Sequence, residues 1–207
     1  MSAVADFTIN SWECTYARFG SSELAEIVGI PGAMQRLWKS RGFLPCEKTT
    51  RLQYTARDVA EIMVRHDLSK LGVAPGESDV LGHFAAQTIL WFALLSSDGA
   101  CEVWGSADAT GAFLDRFERD ETLANSLCGD PDADRYIVRA AGADPIPVSD
   151  LSAFLERAPI RSGSFLDLAQ MSYELVSRAQ RPLVRVQLDK GGIRRLTGQK
   201  RSHLRLV

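Results

Sequence analysis

From residue 21 the chain alternates apolar stripes with polar faces at helical spacing. In SSELAEIVGI (21–30), Leu24, Ile27 and Val28 fall at i, i+3 and i+4 and make one apolar stripe. Ser21 and Ser22 stand where the free amides of a helix start need an acceptor, and Glu23 and Glu26 lie near the positive end of its dipole. Gly29 suits the left-handed conformation that ends a helix, and Pro31 suits the first turn of the next. The pattern predicts helix, three-residue turn, helix. In the second helix the spacing puts Ile30, Met34, Leu37 and Trp38 on the packed side and Gly32, Gln35, Arg36 and Lys39 outward, with Gly42 as the stop. CEKTTRLQY (46–54) predicts a short hairpin, or wing, with Lys48, Thr49 and Arg51 near its tip. TARD (55–58) forms a capping-box pattern with Asp in place of Glu. Val59, Ile62, Met63, His66 and Leu68 then follow at near-helical spacing as far as Gly72, with His66 on the apolar side as a core histidine.

Pro75 and Gly76 break the chain at VAPGESD. The next predicted helix, 78–95, has Val80, Phe84, Thr88, Trp91 and Leu95 on one face, and no Asp, Glu, Lys or Arg between Asp79 and Asp98. A two-stranded coiled coil would carry charges at its flanking positions. This helix is therefore expected to be wrapped in protein, either as a domain core or as a homodimer interface through that face. Further on, 101–105, 135–142 and 182–188 are β-rich, while 110–127, 148–158 and 163–180 have helical spacing. In the last of these Phe165, Leu168, Ala169, Tyr173 and Val176 are expected to point inward.

Charge sharpens the picture. The 207 residues carry a net −2, unevenly spread. Residues 1–78 balance nine Lys and Arg against nine Asp and Glu, 79–180 are net −9, and 181–207 are net +7. Within the balanced third, 31–54 hold Arg36, Lys39, Arg41, Lys48 and Arg51 against Glu47 alone. Such a patch suits a polyanion, although a solvated helix face is the commoner reason for one. The first fifteen residues lack a basic and then apolar leader pattern, and FAAQTILWFALL (84–95) is shorter than the roughly 20 residues of a membrane span. The expectation is a cytoplasmic protein with no membrane association. Cys14, Cys46, Cys101 and Cys128 lack paired spacing and read as reduced thiols. Asp130, Asp132 and Asp134 resemble part of a calcium loop, but Pro131 and the missing glycine and later Glu favour a solvated loop. With no phosphate-binding Gly loop, no nucleophile elbow and no metal-ligand spacing, neither an enzyme nor a cofactor or metal is expected.

The order ELAEIVGI, QRLWKSRGFLP, RLQYTARDVAEI, LSKLGV resembles the winged helix-turn-helix domain of MerR-family transcription regulators over about residues 19–79. The resemblance implies Arg36 as the recognition-helix arginine, Trp38 as the packing aromatic, and Arg51 and Tyr54 as wing residues that touch phosphates. For Tyr54 a core anchor is the equal alternative, and Arg36 has Glu23 or Glu26 as possible ion partners. Gln35 and Lys39 depart from the family pattern and make the outward face more polar and basic. Family members continue into a dimerising coiled coil, which the break at Pro75 interrupts here. The expected fold class is α+β: a MerR-like winged-helix domain at 1–75, an α+β dimerisation or partner domain at 76–190, and a basic tail at 191–207. The expected function is a sequence-specific, double-stranded-DNA-binding transcriptional regulator, a homodimer that contacts RNA polymerase or another regulatory protein. Gln35, Arg36 and Lys39 would enter the major groove while Lys48, Thr49, Arg51 and Tyr54 hold the backbone. The alternatives are a phage-type excisionase or architectural factor, and a protein–protein adaptor whose helix-turn-helix no longer binds DNA.

Overall fold

The computed structural model describes residues 13–44, 53–96, 99–119, 125, 128, 134–158, 160–188 and 194–196. Strands β1 (Glu13–Tyr16) and β2 (Arg18–Phe19) precede helices α1 (Ser21–Val28) and α2 (Gly32–Ser40). Strand β3 (Tyr54–Thr55) leads into α3 (Ala56–Lys70), and α4 (Asp79–Ser96) follows. Then come β4 (Cys101–Gly105), α5 (Ala107–Arg119), β5 (Tyr136–Ala140), β6 (Ile146–Val148) and α6 (Leu151–Arg157). The order ends with β7 (Gly163–Asp167), α7 (Leu168–Ala179), β8 (Val184–Gln187) and β9 (Arg194–Leu196). The architecture is mixed helix and sheet, of the α+β class.

Local chemistry sets several boundaries. Gly29 takes φ 77° and its N–H bonds to the Ala25 carbonyl, closing α1. Gly42 takes φ 74°, and beside it the Phe43 N–H reaches back to the Trp38 carbonyl at 2.8 Å, which satisfies an end carbonyl of α2. The Thr55 hydroxyl accepts from the Asp58 N–H while the Asp58 carboxylate accepts from the Thr55 N–H, the reciprocal cap foreseen for α3. Asp167 caps α7 by accepting from the N–H groups of Ala169 and Gln170. That cap is why the expected helix over 163–180 begins only at Leu168. Residues 163–167 form β7 instead, where Phe165 is exposed rather than inward, and Tyr173 on α7 is exposed too.

Three findings concern organisation. First, β1 pairs antiparallel with β8, in a sheet of order β1-β8-β4-β9 whose β8–β4 pair is parallel. One continuous buried cluster runs from Phe19 and Leu24 through Ile62 and Ile89 to Val184 and Val186. That cluster takes residues from both sides of the expected boundary at residue 75. Second, residues 194–196 of the expected basic tail pair with β4 as β9. Third, Tyr54 and Thr55 pair with Arg18 and Phe19 of β2, so the described end of the segment expected to form a wing is joined to a strand upstream of α1. A separate sheet, β6-β5-β7, sends Ile137 into the main core.

Helix α4 lies against α3 on one side and α7 on another. By length and composition it is apolar enough to cross a membrane, yet 44% of it is buried within the fold. Its Ile89, Leu90 and Leu94 are fully covered, each worth roughly 1.5–3 kcal/mol of burial. Where α3 and α4 cross, Gly82 lets the backbone of α4 meet the Arg65 side chain directly.

Candidate nucleic-acid interface

The candidate site is built on the α1–turn–α2 unit. Ile30 and Trp38 are buried beneath it, as their spacing foretold. Gln35 is not outward: it is 5% exposed, and its Nε2 donates to the carbonyls of Ser21 and Ile30, each at 3.0 Å. Its amide joins the start of α1 to the turn before α2, so it cannot also read a base edge. Met34 and Leu37, expected inside, face out instead, with Leu37 46% exposed. The helix is turned about its axis so that Gln35 and Trp38, three residues apart, form its inner edge.

The outer face then presents Arg36, Lys39 and Arg41 with Met34, Leu37 and Ser40 among them. Among the described residues none of these three cations has a carboxylate within ion-pair distance. Of the two acids of α1 weighed as partners for Arg36, Glu23 is committed elsewhere: it accepts from the Gly20 N–H at 2.7 Å and holds Arg181 at 2.9 Å. Arg41, which caps the C-terminal end of α2, was visible in the sequence only as part of the basic cluster. Lys48, Thr49 and Arg51 lie outside the described residues. Tyr54 is a core residue, 1% exposed beneath β2, and its ring is not available to a phosphate.

The unit is clamped from behind by the C-terminal part of the chain. Arg178 of α7 donates to the Ile27 carbonyl at 2.8 Å, a cation at the negative end of α1. Arg181 holds Glu23 at the other end of α1, donates to the Arg18 carbonyl and stacks over the Phe19 ring at 4.3 Å. A cationic face needs such fixing, because rotamer and rigid-body freedom are lost on binding.

Trp38 meets His66 of α3 edge to face, with ring centroids 6.2 Å apart. Burial lowers the His66 pKa and Lys70 adds to this, while Asp67 and a backbone hydrogen bond at Val28 oppose it. The imidazole is neutral in the fold near pH 7. As pH falls below the unfolded value of about 6.5 the unfolded chain takes the proton first, so stability falls. Thermal unfolding followed from about pH 7.5 to about pH 5 should show this loss, and His66→Phe should remove part of it.

The face of α4 expected at a dimer interface divides. Val80 and Phe84 are exposed, at 67% and 55%. Thr88 is buried within the chain, Leu95 packs against the core, and the Trp91 Nε1–H donates to the Asn125 side-chain oxygen at 2.7 Å. The cause is the packing of α4 against α3 and α7, which takes the distal half of that face. Cys14, Cys101 and Cys128 are unbridged, and burial pushes the Cys128 thiol up to about 12. Among the described residues no cluster of His, Cys, Asp or Glu is placed to hold a metal ion. In comparisons with known proteins, no family model and no curated protein matches the chain.

Proposed function

We propose that the protein is a sequence-specific DNA-binding regulator of transcription, with a MerR-like winged helix-turn-helix that lays α2 in the major groove. The observation that carries this is the outward face of α2, where Arg36, Lys39 and Arg41 stand without carboxylate partners among the described residues. The helix beneath is pinned by Gln35 and Trp38. Arg36 and Lys39 suit guanine edges or phosphates, and Met34 and Leu37 suit thymine methyls. Lys48, Thr49 and Arg51 would hold the flanking backbone. One such module buries a modest area on DNA, so the protein would act as a cytoplasmic homodimer on a two-fold or repeated site. Val80 and Phe84 are the exposed apolar residues of α4 that a second protomer would cover.

The exposure of Met34 and Leu37 also favours a second reading, a protein–protein adaptor that docks through the same face. A gel shift on pooled genomic fragments in low salt separates the two. Wild type should bind, and Arg36→Ala with Lys39→Ala should weaken binding about tenfold or more. Arg157→Ala on α6 should leave it unchanged. If wild type binds nothing, or the double variant binds as well as wild type, DNA is not the partner.

A further inference from the structure

The sheet β6-β5-β7 has two outer edges, and the sequence treats them differently. Along β5 the main-chain bonding positions alternate between its two neighbours. Toward β7, the Ala141 N–H bonds the Ser162 carbonyl at 3.0 Å and the Leu168 N–H bonds the Arg135 carbonyl at 2.9 Å. With the register of β7 on β5, this puts the bonded positions at 162, 164, 166 and 168. Gly163 and Phe165 therefore turn their N–H and C=O groups away from β5, in a stretch, 161–165, that is exposed throughout. Among the described residues those groups have no hydrogen-bond partner. By the same alternation Ile146 and Val148 of β6 bond β5, and the outward positions hold Pro145 and Pro147. Proline has no N–H to offer, so that edge is closed to a further strand. We propose that the open edge of β7 is an interface, at which β7 pairs antiparallel with β7 of a second copy of this chain.

The strand is complementary to itself. With a two-fold axis at Ser164, Gly163 of each copy stands opposite Phe165 of the other, and these pairs exchange both main-chain bonds. Gly163 is bare by necessity, because a Cβ there would stand 2.7 Å from the Arg139 carbonyl oxygen. The Phe165 ring of the second copy covers that gap, as aromatic rings do beside glycines in antiparallel sheets. Phe165 is 54% exposed and meets Tyr136 edge to face, with ring centroids 6.1 Å apart, so the incoming ring extends an apolar face already present. The two phenylalanines come diagonal to one another, within aromatic reach across the axis. One step out, the exposed Arg161 comes opposite Asp167 of the second copy. Among the described residues Asp167 Oδ2 accepts only from Arg135, at 2.8 Å, which leaves it a lone pair for a second donor. The contact also ends itself. Each copy spends the open edge of this sheet, and Pro145 and Pro147 bar the other, so the edges close as a pair rather than a fibre. A peptide of another protein would find the same main-chain groups, but the match of glycine to ring and of Arg161 to Asp167 is internal to this sequence.

This contact is separate from the Val80 and Phe84 face of α4, and it does not need DNA. Sedimentation of the full chain over a concentration series checks it in a Phe84→Lys background, where α4 no longer offers its apolar face. Phe84→Lys alone should still form dimers. Adding Phe165→Pro removes the outward N–H and the ring yet breaks no bond to β5, and it should weaken dimerisation about tenfold or more. Phe165→Lys should do the same, and it decides the matter if the proline variant loses its native circular dichroism. Ser164→Cys puts thiols at a non-hydrogen-bonded pair on the axis, where side chains come closest. Oxidised glutathione should then link two copies through that position, beyond any linkage in wild type. The proposal is overturned if the Phe84→Lys chain is a monomer at every concentration, even where wild type dimerises, since the contact would then belong to α4 alone. It is equally overturned if folded Phe165 variants dimerise like their parent, or if Ser164→Cys dimerises without cross-linking.

Discussion

Arg65→Ala should destabilise the fold by about 3–5 kcal/mol, read by urea unfolding. Arg65 is buried, and its guanidinium ties three elements together. It bonds Glu61 of α3 at 2.9 Å, Asp79 at the start of α4 at 3.0 Å and the Pro75 carbonyl between them at 3.0 Å. Removing it costs more than the lost contacts, because Glu61 is left nearly buried, with the His83 ring, 3.5 Å away, as its remaining side-chain partner among the described residues. Asp79, two-thirds exposed, returns to water at little cost. Pairing Arg65→Met with Glu61→Leu should therefore be milder than Arg65→Ala alone, since no charge stays buried. A double variant as unstable as the single one would show that packing, not the stranded carboxylate, dominates.

Gly82→Val should be the second large loss, about 2–3 kcal/mol. A Cβ at this position would stand 2.8 Å from Arg65 Cγ and 3.2 Å from Cδ. Those atoms are the middle of a side chain anchored at its far end, so they cannot swing aside. The same geometry predicts a change of sign. Gly82→Ala should destabilise the wild type, yet in an Arg65→Ala background the collision is gone. There alanine's higher helix propensity should stabilise by up to about 1 kcal/mol. A double-mutant cycle by denaturant unfolding measures both arms.

This crossing matters for function because it ties α3, against which α1 packs, to α4 and the sheets. Much of this was legible in the residues. The caps of α3, the turn at Gly29, the stop at Gly42 and the span of α4 follow from local rules that act within a few positions. The rotation of α2 was not legible. Apolar periodicity alone puts Met34 and Leu37 inside, whereas Gln35 goes in because two carbonyls, one of them fourteen positions away, satisfy its amide. Hydrophobicity cannot anticipate an acceptor supplied by another helix. β1 was hidden for a similar reason: ECTY has half-buried and exposed positions but no strong apolar alternation, and it is a strand because β8 offers it an edge. The contact of Arg181 with the Arg18 carbonyl was unreadable too, since it joins positions 163 residues apart.

The partnership of β1 with β8 also governs when the protein becomes itself. During synthesis Arg18 emerges 163 residues before Arg181, an interval on the order of ten seconds at ordinary translation rates. Throughout that interval β1 lacks its β8 partner and α1 lacks both of its arginine clamps, so the early segment carries an open strand edge. The cationic helix is aimed only once the last quarter of the chain has arrived, and an interrupted translation product would carry its charge without its direction.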